Sequence, residues 1–338
     1  MKILKLFPIA LCLAGFSVFA ADQPPAKKPA QPKPELPTYL TVETAGPDYA
    51  DQGEYSNDWG GAQVIALGNN SFRLVIYPGG LPGAGWEPVA ARQNGSPSAK
   101  TVAEGKREGD KIVFVPAANG FKHSLANGVL HTLTPNGDEY TMKKIQRASP
   151  TLGAKPPAGA IVLYDGSNAD AWNNGHIDAR KLLAAGATTK EKFTNFTLHC
   201  EFFLPFKPLG RGQDRGNSGV YLQDRYEVQV LDSFGLNGEN NECGAIYSQI
   251  APKVNMCFPP LTWQTYDIDY EAAQFGPDGK KTRNAIVTAK QNGVIIHEHQ
   301  EIKGPTGGGK PETPSGGSIQ LQGHGNPVFY RNIWIVPK

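Results

Sequence analysis

Short runs of alternating apolar and polar residues, separated by glycine and proline, recur along this 338-residue chain. The clearest case is GNSGVYLQDRYEVQVLDSFG, residues 216–235, in which Val220, Leu222, Val228 and Val230 alternate with polar residues. A period of two predicts strands with one apolar and one polar face. With 39 glycines and 28 prolines to mark turns and almost no amphipathic helical pattern, the chain is predicted to be all-β.

The strand-like runs fall into two groups on either side of a Pro/Gly/Ala-rich connector, RASPTLGAKPPAGA, at residues 147–160. The first group predicts a small β domain at residues 39–147. The second predicts about eight short antiparallel strands at residues 160–338, typical of a jelly-roll sandwich of two packed sheets. The best helix candidate, Asp178–Lys190, is short, and Asn292-Gly293 predicts a hairpin turn.

The first twenty residues have the pattern of a targeting signal. Lys2 and Lys5 precede an apolar run from Leu6 to Phe19 that is followed by small residues, which is typical of a secretory signal peptide at residues 1–20. The run is too short to span a membrane comfortably. Residues 21–38 are proline-rich without an apolar pattern and predict an extended linker. We therefore expect a secreted or periplasmic protein.

Charge narrows the range of partners. Removal of residues 1–20 takes away two lysines and no acidic residue, so that 33 basic residues fall to 31 and equal the 31 acidic ones. A chain with no net charge is not expected to bind nucleic acid or an anionic membrane. No later stretch is apolar enough to predict a membrane span, so a small carbohydrate is the expected partner.

Three cysteines remain after the predicted signal peptide, which leaves at least one free thiol. Cys200 has the apolar parity of its strand and is interpreted as a small core residue. Cys243 and Cys257 border the same loop-rich segment and are predicted to be close in space, with their oxidation state left open. No Cys-x-x-Cys spacing occurs, which speaks against a cysteine-based metal site.

The polar side of the strands carries groups that are unusual for a solvated surface. Because Val228 and Val230 point to the core, Glu227 and Gln229 are expected on the opposite face. The same parity places these further residues outward: Tyr221, Gln223, His199, Glu201, Gln320, Gln322 and His324. If their strands share one sheet, that face collects carboxylates, amides, a phenol and an imidazole, which are groups that hold sugar hydroxyls.

Polar loops supply additional candidates. Glu242 precedes a predicted strand and is interpreted as an acid or base at the rim of the site. Arg211 and Arg215 either position a substrate hydroxyl or hold their loop, and Asn217 is either a site residue or a turn residue. Asp232 either faces the core or caps the turn at DSFG.

Histidines raise the question of a metal. His297, His299 and Glu301 follow one another at two-residue steps, a spacing that can chelate a metal, but solvated edge residues are the preferred interpretation. His324 is flanked by glycines that let the backbone approach a ligand, and it is a candidate site residue. The sequence predicts no metal site and no cofactor, although it leaves a divalent cation open.

Six stretches of the second group resemble the 3-keto-disaccharide hydrolase family. In chain order they are LYDGSNADAW, RGNSGVYLQDRYEVQVLDSFG, NECGAIYSQIAPKVNM, WQTYDIDY, NGVIIHEHQE and LQGHGNPVFYRNIWI. The resemblance covers about residues 160–336 and implies a concanavalin-A-like jelly roll with its site on the concave sheet face. Residues 39–147 lie outside it and are interpreted as an accessory domain.

The resemblance implies an enzyme that cleaves 3-keto-glycosides such as 3-keto-disaccharides. A ketone at C3 acidifies the C2 proton, a base removes that proton, the glycosidic group leaves C1, and water adds back. The predicted catalytic residues are Glu227, His324 and Glu242, with acid and base roles left open. The predicted substrate-binding residues are Glu201, Arg211, Asn217, Tyr221, Gln223, Gln229 and Gln322.

Two other functions compete with this prediction. An ordinary glycosidase needs two suitably spaced carboxylates, and a laminarinase-like enzyme would carry them at successive outward positions of one strand. Here the outward position after Glu227 is Gln229, which speaks against that function. A carbohydrate-binding module without catalysis would use the same polar face.

Overall fold

The computed structural model describes residues 36–88, 99–116 and 120–338. They belong to one compact unit, Leu36–Lys338. The predicted signal peptide and most of the proline-rich segment lie outside the described residues. None of the helices in the described part of the chain has the length and apolar character that a bilayer crossing requires.

The first part of the chain forms a closed β-barrel of eight antiparallel strands, preceded by a one-turn helix, α1 (Pro47–Asp51). The strands before the connector are β1 (Gly53–Asn57), β2 (Gly60–Gly68), β3 (Ser71–Pro78), β4 (Leu81–Pro82), β5 (Gly85–Trp86), β6 (Thr101–Glu108), β7 (Lys111–Phe114), β8 (Lys122–Ala126), β9 (Val129–Leu133) and β10 (Glu139–Ile145). The barrel order is β1-β10-β9-β8-β7-β6-β3-β2, and β4 and β5 pair only with each other.

Alternation along the barrel strands fills part of the interior with apolar side chains. On β3, for example, Phe72 and Leu74 are buried inside, and Ile76 continues the same face toward one end of the barrel. The interior cluster consists of Ala45, Tyr55, Ala62, Val64, Ala66, Phe72, Leu74, Ala103, Ile112, Phe114, Leu125, Leu130 and Phe206. The last of these, Phe206, comes from beyond the connector, so the barrel core is completed by the second part of the chain.

The second part of the chain is a sandwich of two sheets. Its strands are β11 (Ile161–Tyr164), β12 (Trp172–Asn173), β13 (Leu183–Ala184), β14 (Thr188–Thr189), β15 (Phe196–Phe203), β16 (Asn217–Leu222), β17 (Tyr226–Leu231), β18 (Trp263–Glu271), β19 (Gln274–Phe275), β20 (Lys281–Arg283), β21 (Ala285–Gln291), β22 (Val294–Ile302), β23 (Gln320–Leu321) and β24 (Phe329–Pro337). A 3-10 turn at Gly212–Asp214 precedes β16.

Seven strands form one sheet, in the order β11-β24-β15-β18-β21-β22 with β13 beside β24. Five form the other, in the order β12-β14-β23-β16-β17. Leu198 and Ile268 of the first sheet share one apolar cluster with Val220 and Val228 of the second, so the core lies between the sheets. The prediction of an all-β sandwich preceded by a smaller β unit is confirmed, and its jelly-roll winding stays a prediction.

The helix predicted at Asp178–Lys190 is wrong. The segment contains only β13 and β14, joined by irregular chain. The Asp178 carboxylate accepts hydrogen bonds from the backbone N–H groups of Arg180 and Leu182, and such local bonds compete with a helix. Gly186 then adopts a φ of 108°, which no helix contains.

Two other local predictions have different outcomes. The Asn292-Gly293 turn is confirmed, because Gln291 pairs with Val294 across it. The segment CGAIYSQ, residues 243–249, is one of the eight strands that the sequence predicts in the second group, and this prediction is wrong. The segment lies along the edge of β17 and makes only isolated bridges, Val228 to Ile246 and Ile246 to Ile250. Both Cys243 and Cys257 are free. The pKa of Cys257 is raised by burial and then by Cys243, an effect that requires the two thiols to be neighbours. Their predicted proximity is confirmed.

The connector is attached to the sandwich along its length. The hydroxyl of Ser149 lies 2.6 Å from that of Thr265 on β18, and Gly153 donates its N–H to Glu201 on β15. Further on, Ala154 accepts a bond from Asn332 of β24. The predicted Pro/Gly/Ala connector is therefore part of the packed structure.

Candidate active site

The β16–β17 hairpin and β23 present a polar face on the side of the five-stranded sheet that points away from the core. Tyr221 pairs with Glu227 across the hairpin, and Gly219 pairs with Gln229. On the other side of β16, Gln322 donates its N–H to the Gly219 carbonyl. We call this surface the Glu227 face, and its members are Asn217, Gly219, Tyr221, Glu227, Gln229 and Gln322.

Glycine at position 219 leaves the space that the Glu227 side chain occupies. A Cβ at Gly219 would lie 2.2 Å from Oε1 of Glu227 and 2.8 Å from Cδ. The outward parity predicted for Glu227 is confirmed, and the residue is nevertheless buried, with only 2% of its surface exposed. Its backbone N–H donates to the hydroxyl of Thr306, which brings the glycine-rich segment 304–309 over this part of the sheet.

Tyr221 links the carboxyl to that segment. Its hydroxyl lies 2.8 Å from Oε2 of Glu227 and 2.6 Å from the carbonyl oxygen of Gly307. A phenol has one proton, and a carbonyl only accepts. Both contacts are hydrogen bonds at once only when Glu227 is protonated and donates to Tyr221, which in turn donates to Gly307. The geometry therefore suits an uncharged Glu227.

Electrostatics agree with this proton count. Burial raises the pKa of Glu227 from 4.5 to about 7, and the hydrogen bond with Tyr221 opposes the shift only while Tyr221 donates it to the carboxylate. A buried carboxyl without a cationic partner is expected to behave in this way, because desolvation penalises its charged form. Among the described residues, none hydrogen-bonds to the other oxygen, Oε1. Glu227 can therefore gain or lose a proton near neutral pH, and its Oε1 is left open by the residues that the structure describes.

A residue that the sequence interpretation missed, Gln213, orients two amides of the Glu227 face. Its Nε2 donates to the carbonyl of Asn241, so its Oε1 must accept. That oxygen receives bonds from Nδ2 of Asn217 and from Nε2 of Gln229, each about 3 Å long. Nδ2 of Asn217 also donates to the Gln213 carbonyl, which settles the orientation of its amide.

The result is a set of buried acceptors without donors. Four buried amide oxygens have no hydrogen-bond partner among the described residues. One of them, Oε1 of Gln291, lies in the core, where Nε2 of the same residue contacts Cys243. The other three belong to the Glu227 face: Oδ1 of Asn217, Oε1 of Gln229 and Oε1 of Gln322. Buried polar groups in folded proteins are normally paired, and an unpaired one costs roughly 1–3 kcal/mol. Three on one face point to a ligand that brings hydrogen-bond donors.

Glu201, a predicted substrate-binding residue, lies elsewhere. The parity of β15 is as predicted, but β15 belongs to the seven-stranded sheet, so Glu201 and His199 face the opposite side of the sandwich. Glu201 accepts from Arg331, Asn332 and Gly153. Burial would raise its pKa, but hydrogen bonds beginning with His199 outweigh it and lower the pKa to about 2. Glu201 thus acts as a structural anion.

Gln223 and Arg211 are also removed from the Glu227 face. Gln223 begins the β16–β17 turn with a φ of 57°, where strand parity ends, and its amide is bonded to Phe193 and Tyr270. Arg211 donates to backbone carbonyls, including Leu67 of the barrel, and so holds its loop.

The neighbouring Arg215 and Asp232 form a buried ion pair at 2.7 Å between Nη2 and Oδ2. Oδ1 of Asp232 accepts the N–H of Phe234. Capping of the DSFG turn by Asp232 is therefore confirmed.

The two remaining catalytic candidates are neighbours in sequence of residues that belong to the site. Glu242 follows Asn241, the partner of Gln213, but its Oε2 already accepts the N–H groups of Gly238 and Glu239. His324 is exposed two residues after Gln322, and no described residue hydrogen-bonds to its ring. The rim position of Glu242 and the site role of His324 stay predictions.

The histidines of β22 do not share one face. A bulge shifts the register between β21 and β22, and His299 has a φ of 44°. His297 consequently turns inward, is buried, and lies 2.7 Å from the Gly244 carbonyl through Nε2. Its interpretation as a solvated edge residue is wrong, while His299 and Glu301 are exposed. Within the described ranges, no three His, Cys, Asp or Glu side chains group as metal ligands.

The fold and this face define a β-sandwich protein whose candidate site combines one buried carboxyl of raised pKa with amide oxygens that no described residue pairs. Residues 159–336 match the model of the family described as 3-keto-alpha-glucoside-1,2-lyase-like domain. The chain belongs to that family, which confirms the resemblance.

Solved structures with similarity to the chain include three from Parabacteroides distasonis ATCC 8503, each described as a putative glycosyl hydrolase. They are 36%, 17% and 22% identical to it and cover 54%, 53% and 53% of it. The match spans 85%, 94% and 99% of their own chains, with TM-scores of 0.49, 0.40 and 0.39. No curated protein matches the chain.

Proposed function

We propose that the Glu227 face binds a 3-keto-glycoside and that Glu227 removes its C2 proton. The C1–O bond then breaks, the leaving oxygen takes up a proton, and water adds its hydroxyl to C1 and a proton to C2. The observation that carries the proposal is a buried carboxyl of raised pKa on the same sheet face as three amide oxygens that no described residue pairs. Family membership supports the same class of substrate.

The position of Glu227 suits a base for a weakly acidic C–H bond. A carboxylate with a pKa near 7 is a stronger base than an ordinary glutamate, yet about half of it is unprotonated at neutral pH. Tyr221 occupies Oε2, which leaves Oε1 for the proton. After transfer the proton is on Oε1 and the carboxyl is uncharged, so the Tyr221 proton can turn from Oε2 to the Gly307 carbonyl.

The amide oxygens of Asn217, Gln229 and Gln322 would accept bonds from sugar hydroxyls. A bound sugar would donate hydrogen bonds to acceptors that are otherwise buried and unpaired. Each such bond removes a free-energy cost that the protein carries when no sugar is bound. Because Gln213 holds two of these amides in place, little order has to be created on binding.

The competing functions fit the site less well. Hydrolysis by two carboxylates needs a partner for Glu227, whereas Glu242 is engaged by its own loop and Glu201 lies on the other sheet. A binding module has no use for a carboxyl whose pKa is close to neutral. Because Glu242 is held by its own loop, we propose His324 as the donor of the proton to the leaving oxygen, and export as the setting of the reaction.

The decisive test compares a 3-keto-disaccharide with its parent disaccharide. The parent lacks the ketone that acidifies C2, so we expect cleavage of the keto form alone. In D₂O, the released 3-keto sugar should carry deuterium at C2, as nuclear magnetic resonance would show. Equal cleavage of the parent would establish an ordinary glycosidase, and binding without cleavage of either sugar would establish a binding module.

The same assay, repeated after treatment with EDTA, asks what the amide oxygens hold. Amide and carboxylate oxygens also bind hard cations. Unchanged cleavage would support direct contact with hydroxyls. Loss of cleavage that Mg²⁺ or Ca²⁺ restores would show that a cation lies between the amides and the sugar.

Replacement of Gln213 by Ala should weaken substrate binding more than it slows the chemistry. The amides of Asn217 and Gln229 lose their common acceptor and can rotate, so we expect KM to rise about tenfold while kcat changes little. Gln274→Ala, an exposed glutamine on β19, is the control and should leave both constants unchanged. A fall in kcat with constant KM would contradict the orienting role of Gln213.

A further inference from the structure

A cavity lies at one end of the barrel interior. The apolar cluster fills only part of the interior and leaves this cavity, with a volume of about 390 Å³, unfilled. The lining includes Trp59, Ile76, Phe121, His123, Tyr140 and Met142. Eight-stranded barrels have interiors that either fill with side chains or hold one small ligand, and binding sites often lie in barrel mouths. A volume near 400 Å³ is within the range of small-molecule sites.

Inside the cavity, one buried polar atom has no partner. His123 is 4% exposed, and its Nδ1 lies 3.0 Å from the hydroxyl of Thr132. Its Nε2 is buried without a hydrogen-bond partner in the described part of the chain. Burial lowers the pKa of His123, so the ring is neutral and does not call for an anion. A hydroxyl would suit Nε2 in either tautomer, because a hydroxyl both donates and accepts.

The rest of the lining indicates whether the ligand of the cavity is a sugar or an aromatic ring. A sugar brings four or five hydroxyls, and each one buried without a partner costs roughly 1–3 kcal/mol. Several polar groups of the lining are already hydrogen-bonded within the protein, namely those of Asn57, Tyr77 and Thr132, and much of the remaining wall is apolar and aromatic. An aromatic ring with a single hydroxyl has the opposite composition: its faces bury apolar area and its hydroxyl reaches Nε2.

The rim of the cavity carries large aromatic side chains in contact with solvent. Trp59 is 77% exposed and Tyr140 is 50% exposed. Side chains of this size that are left on a surface commonly mark a binding site. Rings at the rim can stack on a ligand as it enters, with centroids about 4.5–7 Å apart.

We propose that the barrel is a second binding site, specific for a small neutral aromatic molecule with a hydroxyl group. The ring lies among Ile76, Phe121 and Met142, and the hydroxyl hydrogen-bonds to Nε2 of His123. This site is distinct from the Glu227 face and does not depend on the function proposed for it. The barrel thus has a function beyond that of a structural appendage.

The test is titration calorimetry of the full chain with 2-naphthol. Thr101, on β6, lines the cavity, whereas Thr141, on β10, points out of the barrel. Thr101→Trp should fill the cavity and weaken binding at least about tenfold. Thr141→Trp is the same substitution on the outer surface and should leave the affinity unchanged. Equal affinity in both variants, or no binding by the wild type, would overturn the proposal.

Two further variants identify the contacts, and they keep the proposal testable if Thr101→Trp does not fold. His123→Leu should weaken 2-naphthol about tenfold but leave 2-methylnaphthalene, which has no hydroxyl, nearly unaffected. Tyr140→Ala, at an exposed position, should weaken both ligands by a similar factor. Glucose and cellobiose should not compete, and displacement of 2-naphthol by either sugar would overturn the assignment of ligand class.

Discussion

Replacement of Glu227 by Gln should lower turnover of a 3-keto-glycoside by a factor of about 10² or more, the usual scale for loss of a positioned base. The amide has nearly the same shape and can still donate to Tyr221, so the face should keep its geometry. What it cannot do is accept the C2 proton. The measurement is kcat with saturating keto substrate, together with binding of that substrate, which should persist.

Stability as a function of pH shows whether the variant is intact. A carboxyl whose folded pKa is raised stabilises the fold fully below its unfolded pKa, near 4.5, and loses that contribution as pH rises through about 7. Gln stays uncharged, so the variant should match the wild type at about pH 4. At about pH 9 it should be more stable by on the order of 3 kcal/mol. Lower stability at both pH values would attribute the lost turnover to misfolding.

The pH dependence of wild-type activity should show the same raised pKa of Glu227. If Glu227 is the base, kcat/KM should rise with pH and level off above an apparent pKa near 7, the value that burial imposes on this carboxyl. A profile that instead falls as pH rises through 7 would assign Glu227 the role of an acid.

Gly219→Ala should be almost as damaging, although the residue has no side chain. The new Cβ would lie 2.2 Å from Oε1 and 2.7 Å from Cγ of Glu227, so the carboxyl must move off the strand. Displacement of a catalytic group by about 1 Å can cost roughly 10² in rate. The backbone at Gly219 has no positive φ, so the fold should tolerate alanine. We therefore expect kcat to fall by about 10² with little change in melting temperature.

A double-mutant cycle makes this prediction specific. If alanine acts only through the carboxyl, Gly219→Ala combined with Glu227→Gln should be no slower than Glu227→Gln alone. Gly304→Ala is the matched control, because a Cβ there meets no atom within 4 Å. Additive losses in the double variant would show that alanine damages the face by another route.

How far the sequence predicts the site depends on the range of the interactions involved. Alternation is local, and it correctly predicts that Glu227 and Gln229 share a face. The same rule fails for Gln223, where a turn with positive φ ends the strand, and for His297, where a bulge inverts the parity. The presence of Glu201 on a different sheet follows from strand pairings far apart in sequence, which parity does not reveal.

Some residues that complete the site are not marked by any distinctive sequence pattern. Gln213 is an ordinary polar loop residue until its contacts with Asn217 and Gln229 are seen. The run of glycines at 307–309 is a better signal, because it lets the backbone approach Tyr221 and Arg225 more closely than a side chain would allow. A Cβ at Gly309, for example, would lie 2.2 Å from the Arg225 carbonyl oxygen.

Phe206, which follows β15 of the sandwich, packs into the barrel core and so joins the two β units. Its ring packs against Tyr39 and Tyr49, and its backbone pairs with Tyr39 through two hydrogen bonds. An excised segment of residues 160–338 would carry this ring to its surface with neither tyrosine to cover it, while the barrel would lose part of its interior. A piece bounded as in the family match, 159–336, is therefore shorter than the compact unit, Leu36–Lys338, and would expose a surface that is interior in the whole chain.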